Sequence, residues 1–293
     1  MISSKKSTSQ GKELLPSQEQ IEQYKERGWY VSDIIIPEEI IDKAIESANE
    51  FYEGKIDFDF RGSNAIANDS AEVKGAIKNN EFVTLQKEGL QNLGFHPLIV
   101  ETAALLAETD EIRLFADSLV NKLPSNENKG AVGWHSDKAY WPTCTSEKML
   151  TAWIPLQDCT LEMGPLTHID KSFLWKKDEK LKKFFSFNNQ DLASFEKYLE
   201  KERQGYIKTP MTLKKGQISF HNCNTIHASY PNTSDKNRVA LAVHFQDASN
   251  TYRKQFKENG ELIVISYDKI CKKNAEGNPD YRDKKLFPVL FKR

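Results

Sequence analysis

The sequence lacks an excess of charge of either sign and lacks any long apolar run. Its 293 residues include 41 lysines and arginines against 42 aspartates and glutamates, which gives a net charge of −1. A chain with so little net charge has no global field that attracts a polyanion, so nucleic acid is not an expected partner. No stretch of about 18 apolar residues occurs, so no membrane-spanning helix is predicted.

Cysteine is also scarce. The four cysteines, Cys144, Cys159, Cys223 and Cys271, lie far apart and form no C-x-x-C pair, which argues against a disulfide scaffold and against a cysteine-bound zinc site. The first 16 residues are polar and lack the apolar stretch of a secretory signal, so they predict a disordered tail. Together these features predict a cytoplasmic protein.

Three segments in the first part of the chain have the pattern of helices. Ser17 and Gln20 form a capping-box pattern, and Gly28 follows the helix that they start. Pro37, followed by two glutamates, begins a second helix. Residues 97–109 are apolar at helical spacing, and they predict a third helix that packs on a sheet.

The later part of the chain changes to short β-branched and aromatic segments. Their spacing of about ten residues is typical of a sandwich or jelly roll. The predicted strands cover residues 111–122, 131–136, 148–157, 164–169, 211–221, 226–230 and 238–247. A lysine-rich segment at about residues 175–207 contains a predicted helix and is interpreted as an insertion. We therefore predict a single domain over residues 17–293, mainly β with flanking helices.

The segment GWHSDKAYWP places His135 and Asp137 two residues apart. At a strand end both side chains leave the same face, so they can reach one metal ion. An H-x-D pair alone more often marks a turn than a metal site, and a third ligand must come from elsewhere. The candidates in or beside the late strands are His221, His227 and His244. Two imidazoles and one carboxylate form the facial triad that suits iron(II) and leaves other coordination positions open.

A basic residue favours His227 as the third ligand. Arg238 follows it by eleven residues on the next predicted strand, where a planar guanidinium can bind a carboxylate through two hydrogen bonds. Ser229, two residues after His227, adds a hydroxyl on the same strand face, although it could instead cap the turn before Pro231. His221 lacks this spacing to Arg238 and remains the alternative ligand.

From Gly28 to Tyr252 the sequence resembles the phytanoyl-CoA dioxygenase family of iron(II)- and 2-oxoglutarate-dependent oxygenases. Four segments in family order carry the resemblance: GWHSDKAYWP, TAWIPLQDCTLEMGPL, KKGQISFHNCNTIHASYPNTSDKNR and ALAVHFQDASNTYR. The resemblance implies a double-stranded β-helix, which is a jelly-roll fold of the cupin type. It also implies a bound iron(II) and 2-oxoglutarate as cosubstrate.

The family pattern can be carried over position by position. The iron ligands that it implies are His135, Asp137 and His227. The 2-oxoglutarate contacts that it implies are Arg238, which would pair with the distal carboxylate, and Ser229, Trp153 and Asn121. For Trp153, which lies in an apolar strand, packing in the core is the alternative interpretation.

The reaction that the resemblance implies consumes O2 and 2-oxoglutarate and releases succinate and CO2. We expect hydroxylation, desaturation or cyclisation at an unactivated C–H bond of a small metabolite from secondary or amino-acid metabolism. The alternative within the family is an acyl-CoA 2-hydroxylase. The alternatives from other classes are a zinc hydrolase and a non-catalytic jelly-roll binding module.

Two further features bear on the substrate. Tyr140 and Trp141 follow the aspartate of the H-x-D pair, and they are predicted to contact the substrate at the mouth of the site. Packing of at least one of them in the core is the alternative. Residues 55–90 show no clear period and predict a loop or lid.

Overall fold

Two antiparallel sheets with flanking helices form the fold. The computed structural model describes residues 13–60, 76–125, 129–176, 179–185, 189 and 191–293. Most of the predicted N-terminal tail therefore lies outside the described residues. The strands are β1 (Trp29–Val31), β2 (Ile77–Glu81), β3 (Glu111–Lys122), β4 (Val132–His135), β5 (Leu150–Pro155), β6 (Leu166–Ile169), β7 (Lys208–Pro210), β8 (Ser219–Asn222), β9 (His227–Ser229), β10 (Arg238–Asp247) and β11 (Val289–Lys292).

The larger sheet has the strand order β1-β8-β5-β10-β3-β11, with β2 also paired to β3, and the smaller sheet has the order β4-β9-β6-β7. Side chains from both sheets line one cavity of about 610 Å³, so the sheets face each other across it. This arrangement confirms the mainly β class with flanking helices that the sequence predicts.

Helices cover the outer face of the larger sheet and extend the smaller one. They are α1 (Gln18–Arg27), α2 (Glu38–Tyr52), α3 (Glu88–Gly94), α4 (Pro97–Leu106), α5 (Glu179–Lys182), α6 (Leu192–Glu202) and α7 (Ser266–Ile270). The capping box of α1 is confirmed, because Ser17 and Gln20 exchange backbone-to-side-chain hydrogen bonds and Gly28 ends the helix at φ 84°. Among the described residues no helix is long and apolar enough to span a bilayer.

Strand β10 shows how alternation divides the core from the cavity. Leu241 and Val243 are fully buried in the main apolar cluster, together with residues of α3 and α4. Arg238, Ala242 and His244 alternate with them and line the cavity. Because successive side chains of a strand point to opposite faces, one strand supplies both the core and the site.

The segment 175–207, which the sequence predicts as an insertion, carries its own apolar cluster in its described part. Helix α6 lies within the predicted insertion helix and packs against β4 through Phe195, whose ring centroid lies 5.6 Å from that of Trp134. Leu192 and Leu199 join this cluster, which is separate from the main core. This segment thus supports the strand that ends at His135.

Two predictions about local structure are wrong in part. The segment 55–90, predicted as a loop or lid, contains β2 and the start of α3 in its described part; residues 61–75 of it lie outside the described residues. The predicted strand 211–221 begins only at Ser219, because the chain turns at Gly216 with φ 96°.

A buried carboxylate holds the segment after β2 against β3. Asp117 accepts hydrogen bonds from the backbone N–H of Val83 at 2.7 Å and from the hydroxyl of Thr84 at 2.5 Å. Burial raises the pKa of Asp117 to about 7. This aspartate is on the helix side of β3 and does not line the cavity.

Candidate metal centre

Three candidate ligands meet where two neighbouring strands begin and end. His135 is the last residue of β4, and His227 is the first residue of β9. These strands pair so that His135 lies opposite His227, with ring centroids 4.3 Å apart. Asp137 opens the short 3-10 turn after β4. The two-residue spacing of His135 and Asp137 therefore brings both to the same side, as the sequence predicts.

The three side chains present donor atoms to a common point. One ligand atom from each of His135, Asp137 and His227 lies within 4.8 Å of the others, and all three residues are buried. The Oδ1 atom of Asp137 is 3.5 Å from Nε2 of His227 and 4.0 Å from Nε2 of His135. Two nitrogens and one carboxylate oxygen at these separations can hold a single divalent ion.

Hydrogen bonds fix the tautomer of each imidazole. The Nδ1 atoms of His135 and His227 lie 2.6 Å and 3.0 Å from the carbonyl oxygens of Gly133 and Thr225. A carbonyl can only accept, so each Nδ1 carries the hydrogen and each Nε2 keeps its lone pair. Such a second hydrogen bond is the usual way in which proteins orient a metal-binding histidine.

The other oxygen of Asp137 is held by the larger sheet. Its Oδ2 atom accepts hydrogen bonds from the hydroxyl of Thr151 at 2.6 Å and from Nε2 of His221 at 3.1 Å. His244 donates through Nδ1 to Thr151 at 2.7 Å. Although burial alone would raise it, His227 and His221 keep the pKa of Asp137 well below its usual value. The carboxylate is therefore ionised and fixed in orientation.

His221, the alternative ligand, lies on the far side of this carboxylate. Its Nε2 carries the hydrogen that Asp137 accepts, so that nitrogen has no lone pair to offer. His168 packs beside it with ring centroids 4.8 Å apart, and neither ring nitrogen of His168 has a hydrogen-bond partner among the described residues. The structure thus brings His227, and not His221, together with His135 and Asp137.

A buried guanidinium lines the same cavity. Arg238, at the start of β10, is buried, and its guanidinium makes no hydrogen bond or ion pair to another described residue. Its Cζ atom lies 5.5 Å from the ring centroid of Trp153, an arrangement that gives cation–π attraction. Burial lowers the pKa of Arg238 to about 10. Ser229 also lines the cavity, two residues along β9 from His227.

Asn121 is not brought to the cavity. Ser118 and Val120 of β3 line it, and side chains alternate along a strand, so Asn121 belongs to the opposite face. Its Oδ1 atom is buried and has no hydrogen-bond partner among the described residues. The next residue, Lys122, has the cavity-side orientation, and its Nζ lies 2.6 Å from Oγ of Ser229. Sequence reasoning missed this lysine.

The two predicted substrate residues differ in exposure. Tyr140 is 42% exposed and packs edge-on against His135, with ring centroids 5.5 Å apart. Trp141 is buried, and its ring meets those of Phe115 and His244 at 5.2 Å and 5.0 Å. Both line the cavity, so Trp141 belongs to the cavity wall and to the core at once.

Replacing Thr151 with valine is expected to weaken iron(II) binding by roughly 10- to 100-fold, the usual range for a group that orients a metal ligand. Valine keeps the shape of threonine but cannot donate to Asp137. Competition with a coloured chelator measures the affinity. Thr102→Val is the matched control, because Thr102 is buried in α4 and its hydroxyl contacts no hydrogen-bonding group of the described residues. Equal losses of iron affinity in both variants would contradict the expectation.

The metal-free protein is expected to lose stability as the pH falls below about 6.5, the pKa of an unperturbed histidine. Burial lowers the pKa values of a group of histidines around the site, that of His244 to about 4: His135, His168, His227 and His244. The unfolded chain therefore binds more protons than the folded chain between these values, so protonation favours unfolding. The raised pKa values of Asp117 and Asp268 act in the opposite direction but concern fewer groups.

Thermal unfolding with a chelator present, measured from pH 7.5 down to pH 5, tests this expectation. A melting temperature that stays constant or rises over that range would contradict it.

Solved structures share this fold. The carbocyclase SnoK from nogalamycin biosynthesis, described as non-heme and alpha-ketoglutarate-dependent, is 21% identical, with a TM-score of 0.67 over 94% of this chain and 96% of that one. The epimerase SnoN, in complex with Fe3+, alpha-ketoglutarate and nogalamycin RO, is 19% identical, with a TM-score of 0.65 over 93% and 98%. These likenesses confirm the predicted jelly-roll fold.

A third solved structure, EctD from S. alaskensis with 2-oxoglutarate and 5-hydroxyectoine, is 18% identical, with a TM-score of 0.65 over 89% of this chain and 85% of that one. A search of curated protein sequences finds no match. The family described as phytanoyl-CoA dioxygenase (PhyH) matches residues 16–240, which include all three candidate ligands and Arg238. The chain therefore belongs to the phytanoyl-CoA dioxygenase family.

Proposed function

We propose that this protein is an iron(II)- and 2-oxoglutarate-dependent oxygenase that oxidises an unactivated C–H bond of a small metabolite by hydroxylation, desaturation or cyclisation. The observation that carries the proposal is the buried guanidinium of Arg238, which has no acidic partner among the described residues and lines the same cavity as His135, Asp137 and His227. An unpaired buried charge is costly unless a ligand supplies its counter-ion.

The donor set fits iron(II). Two neutral imidazoles, each with a lone pair on Nε2, and one ionised carboxylate are the ligands of the facial triad. His135, Asp137 and His227 would hold the ion. Bound there together with 2-oxoglutarate, iron(II) would supply the oxidising chemistry that consumes O2 and the keto acid and releases succinate and CO2.

The position of the anion-binding residues fits a dicarboxylic keto acid. Ser229 lies two residues beyond His227 on β9, which corresponds to a rise of roughly 7 Å along a strand. Arg238 would bind the distal carboxylate through its planar donors, Ser229 would donate its hydroxyl, and Trp153 would cover the guanidinium. The keto acid would thus be held at one end by the metal centre and at the other by Arg238.

The remaining cavity wall favours a small, uncharged or basic metabolite over an acyl-CoA. Apart from its histidines, Arg238 is the one basic side chain among the described residues that line the cavity. No lysine of the described ranges lines the cavity to bind the phosphates of coenzyme A. Tyr140 and Trp141, with Tyr267 from α7, would contact the substrate and keep water from the metal centre.

The test mixes metal-free protein with iron(II) and 2-oxoglutarate under argon. The expected result is the weak visible charge-transfer band of a chelated keto acid, followed on admission of O2 by succinate formation. Candidate small metabolites and an acyl-CoA are then compared for their stimulation of succinate release. Binding of iron without the band, or a preference for zinc with no keto-acid binding, would refute the proposal.

A further inference from the structure

Lys122 is a buried lysine that has no acidic partner among the described residues. It is the last residue of β3, is 0% exposed, and lies directly opposite Arg238 in the pairing of β3 with β10. A buried ammonium group normally has a carboxylate beside it. Lys87, 2% exposed, follows this rule, since its Nζ lies 2.8 Å from Glu50 and 2.9 Å from Asp57.

The partners of Lys122 are all neutral oxygens. Its Nζ lies 2.6 Å from Oγ of Ser229, 2.6 Å from the carbonyl oxygen of Tyr230 and 3.4 Å from that of Ser229. No carboxylate of the described residues pairs with it. Two adjacent basic side chains, Lys122 and Arg238, are therefore buried together without a counter-ion from the part of the chain that the structure describes.

The contact with Lys122 determines which way the Ser229 hydroxyl can act. An ammonium group has hydrogens only to donate, so the oxygen of Ser229 accepts from it. No described residue accepts the hydroxyl hydrogen of Ser229, and Ser229 lines the cavity. The hydrogen is thus available to a ligand that brings an acceptor, such as a carboxylate.

We propose that Lys122 is a positioning residue for 2-oxoglutarate: it orients the Ser229 hydroxyl as a donor and adds a second positive charge behind Arg238, so that this end of the cavity selects a keto acid with a second carboxylate. The inference rests on the proposed function. Lys122 does not line the cavity, so it acts through Ser229 and through its charge. Burial and the neighbouring Arg238 lower the pKa of Lys122 well below its usual value, so a carboxylate bound at this end of the cavity would favour the charged form of Lys122.

The experiment compares two keto acids. Iron(II)-loaded protein under argon is titrated with 2-oxoglutarate and with 2-oxopentanoate, which has the same chain length but no distal carboxylate, and the charge-transfer band gives each affinity. In Lys122→Met we expect 2-oxoglutarate to bind roughly 10- to 100-fold more weakly, the effect of losing a charged hydrogen-bond donor. The affinity for 2-oxopentanoate should not change. The preference for the dicarboxylate therefore falls.

Lys87→Met is the matched control, because it removes a buried lysine that is paired to acids elsewhere. It should lower the melting temperature and leave the preference intact. If Lys122→Met weakens both keto acids equally, or weakens neither, Lys122 has only a structural role and the proposal fails.

A second variant covers the case in which Lys122→Met does not fold. Ser229→Ala removes the group that Lys122 orients, and it should show the same fall in preference; an unchanged preference there would overturn the proposal. If the wild-type protein binds iron but gives no charge-transfer band with either keto acid, the proposed function itself fails. If the wild-type protein gives the band and the variants leave its affinities unchanged, only the role of Lys122 fails.

Discussion

Arg238→Leu is expected to weaken 2-oxoglutarate binding by on the order of 100-fold or more, the usual cost of removing one partner of a buried charge pair. The fold should persist, because the guanidinium has no acidic partner among the residues that the structure describes and its removal relieves the cost of an unpaired buried charge. Iron(II) affinity should stay at the wild-type value. Anaerobic titration of the charge-transfer band gives the keto-acid affinity, and thermal unfolding gives the stability.

Arg113→Leu is the control, and it should have the opposite effects on stability and on keto-acid binding. Arg113 is also a buried arginine, but its Nε lies 2.7 Å from a carboxylate oxygen of Glu111. Removing it should lower the melting temperature and leave 2-oxoglutarate binding unaffected. If Arg238→Leu lowers stability as Arg113→Leu does and retains keto-acid affinity, Arg238 belongs to the structure and the cosubstrate assignment is lost.

Asp137→Asn is expected to lower iron(II) affinity by more than about 100-fold, beyond the range typical of groups outside the ligand set. The reason lies in the two donors that face Oδ2, the hydroxyl of Thr151 and Nε2 of His221. They require an acceptor, so the oxygen of the asparagine turns towards them. Its NH2 group then faces the imidazoles of His135 and His227, where it cannot bind a metal. Chelator competition measures the affinity, and O2-dependent succinate formation should disappear with it.

Asp117→Asn is the control for this change. Asp117 is likewise a buried aspartate, but it binds the backbone of Val83 and the hydroxyl of Thr84 away from the cavity. Its replacement should leave iron binding intact. Wild-type iron affinity in Asp137→Asn would show that the carboxylate is not a metal ligand. Both the proposed iron site and the alternative zinc site would then be refuted.

The long central strands were predictable from the sequence. The bounds of β3 and β10 agree with the predicted segments 111–122 and 238–247. Where these strands line the cavity, core and cavity side chains alternate, as Leu119 does with Ser118 and Val120 and as Val243 does with Ala242 and His244. Strand β2 was not predicted, since its sequence IKNNE has one buried apolar residue, Ile77, and it gains its stability by pairing along β3. A strand that depends on a distant partner leaves little local signal.

The residues of the candidate site also fall into those that the sequence predicts and those that it does not. The H-x-D pair and the spacing of His227 to Arg238 are local patterns, so the sequence alone indicates them. Thr151 could not be assigned to the site in this way, because its contact with Asp137 depends on how two sheets close. Asn121 and Lys122 show why a strand position must be known to the residue, because a shift of one residue along a strand moves a side chain from one face of the sheet to the other.

Asp137 also connects the two halves of the fold. One of its oxygens faces imidazoles from β4 and β9 of the smaller sheet, and the other is held by residues of β5 and β8 of the larger sheet. The centre is therefore assembled only when the sheets have closed on each other, so ion binding and tertiary folding are thermodynamically linked. A substitution remote from every ligand that widens the gap between the sheets will lower metal occupancy, and for this reason weak metallation in a variant reports the geometry of the whole barrel.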